Sequence, residues 1–289
     1  MSTFETILCA IDFSEHSRQA LRVALFLADK TSSRIVAVHV VEHLLAEAAF
    51  AAGAADDMRA NLSAELSTFI EAEGRPDRIA GTAIEIGEPH EAILSCAKAR
   101  HAGLIVVGSR GEGGVRKALL GSVAERVLRQ ATVPVMAVPG DDGVPGFGGF
   151  SAVQAAVAFD GCTDLVLRHA AALASTLNLP LTLIHVVDPV SNFPQYTDAS
   201  RAAEQARVDE AQNHLESLAA AMPLERVQTE VRVGQAAERI AESMSGEQVL
   251  TVLGTGGDRL LHRAGSTAYR VFSIAASPVL AIPPAATSA

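Results

Sequence analysis

The residues of this 289-residue chain that could do chemistry gather in one stretch. Gly108, Gly111, Gly113, Gly114 and Gly121 stand among Arg110, Arg116, Lys117 and Ser122. Leu104-Ile-Val-Val107 is an apolar, β-branched run and predicts a buried strand that stops at Gly108. Gly121-Ser122 opens a helical pattern carried by Val123, Val127 and Leu128. A glycine loop that leaves a buried strand and ends at a helix N-terminus suits an anion. Backbone N–H groups can point at the anion, the helix dipole favours negative charge, and Ser122 adds a hydroxyl. The same glycines would also serve a surface loop that only turns, and the residues by themselves leave both readings open.

Other spacings lead elsewhere. A P-loop needs GxxxxGKS or GxxxxGKT, and no such string occurs. A dinucleotide fingerprint needs GxGxxG after the first strand. Here that strand is followed by Asp12-Phe-Ser, and Arg116 occupies the third glycine's place after Gly111 and Gly113. His39-Val-Val-Glu-His43 fits the H-x-x-E-H string of zinc peptidases, which requires both histidines on one helix face. His39 lies in a β-branched run, and in the second half His185 is kept while Val190 stands near the other histidine's place, so no metal is expected. No Ser/His/Asp order or carboxylate pair recommends hydrolytic catalysis.

Composition narrows the partners. Net charge is −10, from 23 basic and 33 acidic residues, so the overall field repels nucleic acid and anionic membranes. Three basic residues in one glycine loop stand out against that background. Hydrophobic residues make up 49% and tryptophan is absent, so the cores are aliphatic. The cysteines, Cys9, Cys96 and Cys162, are odd in number and form no CxxC, which reads as reduced thiols in a cytoplasmic protein. Met1-Ser-Thr-Phe-Glu has no basic region, so no secretory signal is expected, and no uncharged apolar run is long enough for a membrane span.

The elements that must position the glycine loop follow in order. Thr6–Ile11 is a strand, Asp12-Phe-Ser a turn in which Ser14 or Ser17 can cap a helix reaching about Lys30. Arg34–Val41 is a second strand. Leu44–Gly53 is alanine-rich and unassigned. Met58–Glu73 is a helix closed by Gly74, Ile79–Ile86 a strand, and Glu91–Arg100 a helix. Val135–Val138 closes the half as a strand. This alternation predicts a mostly parallel sheet covered on both faces. Asp141–Gly149, rich in glycine and proline, is a linker. The second half then repeats the first. Ala156-Val-Ala-Phe-Asp160 matches Cys9-Ala-Ile-Asp12, His185-Val-Val-Asp188 matches His39-Val-Val-Glu42, and Val233-Gly234 matches Ile86-Gly87. Val252-Leu-Gly254 matches Val106-Val-Gly108, and Ser277–Pro283 matches Val133–Pro139. The chain is a tandem duplication.

The spacing Gly108-x2-Gly111-x9-Gly121-Ser122, taken with Ala10-Ile-Asp-Phe-Ser14 and His39-Val-Val-Glu, resembles the universal stress protein family. The resemblance covers the chain twice. It implies two tandem flavodoxin-like, doubly wound parallel five-stranded sheets of strand order 3-2-1-4-5, with domains at 1–140 and 152–284 joined by a linker at 141–151. ATP-binding members hold the nucleotide at the carboxyl ends of the first and fourth strands, where a topological switch point places ligands in general. Carried over by position, Asp12 would bond the ribose or adenine end and Val40 would contact adenine through its backbone. Gly108, Arg110 and Gly111 would surround the phosphates, and Gly121, Ser122 and Val123 would bind them at the helix start. The residue-level alternatives are plain: a capping turn for Asp12, a solvated loop charge for Arg110, and helix–strand packing for Gly121.

In the second half Asp160, Val186, Gly254, Gly257, Gly265, Ser266 and Thr267 hold the matching places. That loop is two residues shorter and carries Asp258, which opposes phosphate, with Arg259 and Arg263 partly offsetting it. The resemblance therefore implies a cytoplasmic stress-response sensor or regulator that binds ATP, or ADP or AMP, with magnesium on the phosphates. Alternatives are a slow ATPase or phosphate-transferring enzyme, and a scaffold whose second domain takes a different ligand or partner. In single-domain members of the family the last strand pairs two chains, so the two proline-bounded last strands are expected to pair within this chain or in a homodimer.

Overall fold

The computed structural model describes residues 4–110, 120–140, 147–190, 198–244, 248–256 and 267–284. The chain divides into two compact units, Met1–Gly149 and Phe150–Ala289.

The first unit runs β1 (Thr6–Ala10), α1 (Glu15–Thr31), β2 (Arg34–Val41), α2 (His43–Ala51), α3 (Ala55–Glu71), β3 (Ile79–Ile86), α4 (Pro89–Ala99), β4 (Leu104–Gly108), α5 (Ser122–Gln130) and β5 (Val135–Val138). All the pairings are parallel and give the order β3-β2-β1-β4-β5. The second unit runs β6 (Ala152–Ala156), α6 (Thr163–Leu177), β7 (Leu181–Val187), α7 (Asp198–Ala220), β8 (Val227–Val233), α8 (Ala236–Glu242), β9 (Val249–Gly254), α9 (Thr267–Ile274) and β10 (Val279–Ile282). Its order, β8-β7-β6-β9-β10, is the same 3-2-1-4-5 pattern. Each unit is thus the mostly parallel sheet that the alternating pattern predicts, in the doubly wound, flavodoxin-like order that the resemblance implies.

The central strands form where apolar, β-branched runs are buried on both faces. Ile7, Leu8 and Cys9 of β1 and Leu104, Ile105 and Val106 of β4 are fully enclosed. α1 lays Leu21, Ala24, Leu27 and Ala28 on that sheet, the three- and four-residue spacing of one helical face. Its C-cap, Ser32, is left-handed, and its counterpart Asn178 closes α6 in the same conformation.

Two elements depart from the sequence reading. The unassigned alanine-rich stretch is α2, a helix that buries none of its residues and leaves Leu44 and Phe50 78% and 79% exposed. With no buried face, its apolar residues carry no helical period to read. The second departure lies in the repeat. Ile11 and Val157 both donate N–H to the second strand, to Val38 and Ile184, and Phe13 and Phe159 are both left-handed. These pairs, like Gly108 and Gly254, lie 146 residues apart. Asp160 therefore stands at the place of Ser14, and Ala158 at that of Asp12. Matching the two aspartates by identity shifted the alignment by two residues.

In the second unit the position of Leu8 is taken by Gln154, which is 3% exposed. Its Oε1 accepts from Ser243 Oγ at 2.6 Å, and its amide donates to Thr251 Oγ1 and the Ile240 carbonyl, each at 3.4 Å. Thr251 stands where the first unit has Ile105.

Candidate functional site

Three neighbouring strands, β2, β1 and β4, end together in the first unit, and the chain leaves β1 and β4 toward opposite faces. That is the crevice in which open α/β sheets bind ligands. The turn after β1 is built tightly. His39 Nδ1–H donates to the Ile11 carbonyl at 2.8 Å, since only the ring can supply the hydrogen. The Phe13 ring lies 4.6 Å from that imidazole and 5.7 Å, edge on, from Phe69 of α3. The Arg18 guanidinium sits 4.2 Å above Phe69. Arg18 and Arg22 of α1 both donate to Glu73, at 2.9 and 2.6 Å. Burial alone would raise the Glu73 carboxyl, but the two guanidiniums outweigh it and hold the group below its ordinary range.

Within this frame Asp12 Oδ1 accepts from the Ser14 amide at 3.1 Å and the Ser14 hydroxyl at 2.5 Å. The Ser14 hydroxyl oxygen in turn accepts from Ser17 N–H at 3.2 Å, capping α1. Asp12 is thus a capping-turn residue as well as an exposed carboxylate at the strand end. Val40 lies in β2, two residues past the pairing of Ala10 with Val38, so its backbone flanks the same turn.

At β4 the two ends of the glycine loop meet. Ser109 N–H donates to Val138 of β5 at 2.7 Å, and Gly121 N–H donates back to the Ser109 carbonyl at 2.8 Å. A Cβ on Gly121 would lie 3.3 Å from the Arg110 Cα, so glycine lets the helix start approach the loop backbone. Gly108 is tighter still. A Cβ there would come within 2.9 Å of the His16 carbonyl carbon, in the first turn of α1. Gly108, Arg110, Gly121, Ser122 and Val123 are therefore gathered at one edge of the crevice, with Asp12 and Val40 on the adjoining strand ends. Gly111, with Arg116 and Lys117, lies outside the described residues.

In the second unit the same place holds a cavity of about 270 Å³. Val186, Gly254 and Thr267 line it, and so do Asp160 and Asp188. Gly257, Gly265 and Ser266 lie outside the described residues. Asp160 Oδ1 accepts from Cys162 N–H at 2.9 Å, and Asp160 N–H donates to Thr163 Oγ1 at 3.0 Å, which opens α6. His185 Nδ1–H donates to the Val157 carbonyl at 2.7 Å, repeating the His39 contact. The Phe159 ring lies 4.3 Å from His185, tilted by 31°, and stacks parallel to His214 of α7, again at 4.3 Å. Cys162 is buried, and desolvation raises its thiol, with the Asp160 charge adding to it.

The sequence offers His39 and His185 within the shared His-Val-Val run and its zinc-like string, and does not mark Phe13, Phe159 or His16 as site residues. The signal for the first four was the repeat itself, since both types recur 146 residues on beside a strand end. His16 has no such signal, because Cys162 stands in its place. His43 is the first residue of α2, so the two histidines of the zinc-like string share no helix.

Among the described residues no helix is long and apolar enough to cross a membrane. A model of the universal stress protein family matches residues 3–139 and again 150–283. A universal stress protein of Bacillus subtilis is 32% identical over 146 residues, spanning 47% of this chain and 99% of its own length. Another, of Thermus aquaticus, is 34% identical over 139 residues, 47% of this chain and 98% of its own. A solved universal stress protein from Archaeoglobus fulgidus covers 98% of this chain and 97% of its own, with a TM-score of 0.66 at 22% identity, a likeness of fold.

Proposed function

The chain belongs to the universal stress protein family, whose members are stress-response proteins, and on that premise we propose that its first unit binds ATP as a cytosolic sensor or regulator. The observation that carries this reading is the meeting of Gly108, Arg110 and Gly121 at the end of β4, one strand away from Asp12. A carboxylate on one strand end suits hydroxyl and amino donors of a nucleoside. A cation, backbone amides and a helix start on the next suit phosphates. Acid and base are separated along the crevice in the order a nucleotide needs. Magnesium, if carried, would enter on the phosphates. The three cysteines are free and buried, which supports a reducing compartment.

Calorimetric titration of the whole chain with ATP tests the assignment. Asp12→Ala and Gly121→Val should each weaken the tighter ATP site at least tenfold. Unchanged affinity in both variants rejects it. Mass spectrometry of ligand released from freshly purified protein gives an independent check: ATP supports binding without turnover, whereas ADP with steady phosphate release would make the protein an enzyme.

A further inference from the structure

We infer that the cavity of the second unit takes an unphosphorylated purine nucleoside, adenosine as the reference ligand, in preference to ATP. This rests on the reading of the first unit as an adenine-nucleotide site, because the two crevices occupy the same place in the same fold. Three observations support the assignment.

The first is charge. Matched through the common backbone register, Arg110 of the first unit corresponds to Gly256 of the second. Ser109 and Thr255, the residues before them, make the same bond to the last strand, to Val138 and Ile282. Gly256 has φ +84, a conformation that a side chain enters only with strain, so an arginine is not simply substituted back. Meanwhile the carboxylates persist: Asp160 replaces Ser14, and Asp188 replaces Glu42. Among the described residues the cavity wall carries these two acids and no lysine or arginine. A triphosphate brought there meets like charge at both acids.

The second is size. About 270 Å³ lies just under the ~300 Å³ at which pockets for drug-sized ligands begin. That volume suits a base and its sugar.

The third is the match of donors to acceptors. The walls are aliphatic, with Val166, Ile184 and Ile240 among them, and suit a purine face. The polar groups are the carboxylates of Asp160 and Asp188, the hydroxyls of Thr163 and Thr267, and the His185 ring, whose Nδ1–H is already given to Val157. Carboxylates are the partners that a ribose diol, a pair of donors, selects. Thr267 occupies the position of Val123 and adds a hydroxyl that the first unit lacks at that position.

Titration of the whole chain with adenosine and with ATP, in the native sequence and three variants, decides the matter. Ala236 lines the cavity from the start of α8, so Ala236→Leu fills it. It should weaken adenosine binding more than tenfold and leave the tight ATP site unchanged. Gly121→Val should do the reverse. Asp188 is exposed at the rim, so Asp188→Lys should fold normally and narrow the preference for adenosine over ATP at this site at least tenfold. Adenosine binding that ignores Ala236→Leu, ATP binding at the Ala236-sensitive site as tight as adenosine, or a preference unmoved by Asp188→Lys would each overturn the inference. ATP binding unmoved by Gly121→Val would instead remove the first-unit reading and leave the Ala236 result to stand on its own.

Discussion

His39 and Ile11 are joined across two strands by a 2.8 Å bond from the imidazole Nδ1–H to the backbone carbonyl. Ile11 also donates its own N–H to Val38, so the residue before Asp12 is held on both sides. Replacing His39 by Phe keeps a ring against Phe13 and removes only the donor. We expect stability to fall by about 1 kcal/mol, the usual worth of one such bond. ATP affinity should fall about tenfold, because the turn that carries Asp12 loosens. Calorimetry and thermal melts on the same sample separate the two effects. A large loss of stability with unchanged affinity would make His39 a purely structural residue.

Glu73 ties the end of α3 to α1 through Arg18 and Arg22, and its side chain is only 8% exposed. Its carboxyl is held below the ordinary range, so its contribution to stability is complete above the unfolded-chain value near ~4.3 and is lost as pH falls through the lower folded value. Glu73→Gln should cost about 1–3 kcal/mol at pH 7, as charged hydrogen bonds do. The gap between the two proteins should stay constant down to about pH 5 and close below ~4.3. Denaturant melts across that window measure it. A gap that widened on acidification would contradict the ion-pair assignment.

Gly108 admits the backbone of His16 to a distance that a methyl group would occupy. Gly254 does the same for the side chain of Cys162, with a Cβ contact of 2.8 Å. Gly108→Ala should therefore destabilise its unit by about 1–3 kcal/mol, as overpacking does. Gly254→Ala should cost a similar amount, because the Cys162 Cβ is fixed to its backbone and cannot rotate away. Melts unchanged by either substitution would show that the strand end and the helix move apart to admit a methyl group.

Gln154 and Thr251 place a polar cluster in the second unit where the first has Leu8 and Ile105. Replacing both partners together by apolar residues of similar shape leaves few groups unpaired. The double change Gln154→Leu with Thr251→Ile is expected to be neutral or stabilising by up to about 1 kcal/mol. Gln154→Leu alone should be worse, since it strips one partner from Thr251 and from Ser243. A double variant less stable than the single would show that the cluster is needed as a whole.

Much of this was open to reading from the amino acids. Arg34–Val41, Ile79–Ile86 and Val135–Val138 are strands to the residue, because each is an apolar or β-branched run with turn residues or proline beside it. The gathering of Gly108, Arg110 and Gly121 was likewise legible, since a strand end and a helix start must be brought together by the loop between them. What escaped was conformation without chemistry. Asp160 looks like Asp12, and the left-handed backbone shared by Phe13 and Phe159 shows that it stands two places on. Leu44 and Phe50 look like core and are exposed. The approach of His16 to Gly108 depends on where a helix is set down, which no local pattern records.

The left-handed backbone at Phe13 and Phe159 sets comfort against usefulness. An aromatic residue in that conformation costs on the order of 1 kcal/mol, which glycine would avoid. Glycine has no ring to lay against His39 or His185. A random library at positions 13 and 159 selected for heat resistance alone should therefore drift toward glycine and asparagine. The same library selected for retention of a bound nucleotide or nucleoside should keep phenylalanine, and the divergence between the two pools would measure how far the ring serves the ligand rather than the fold.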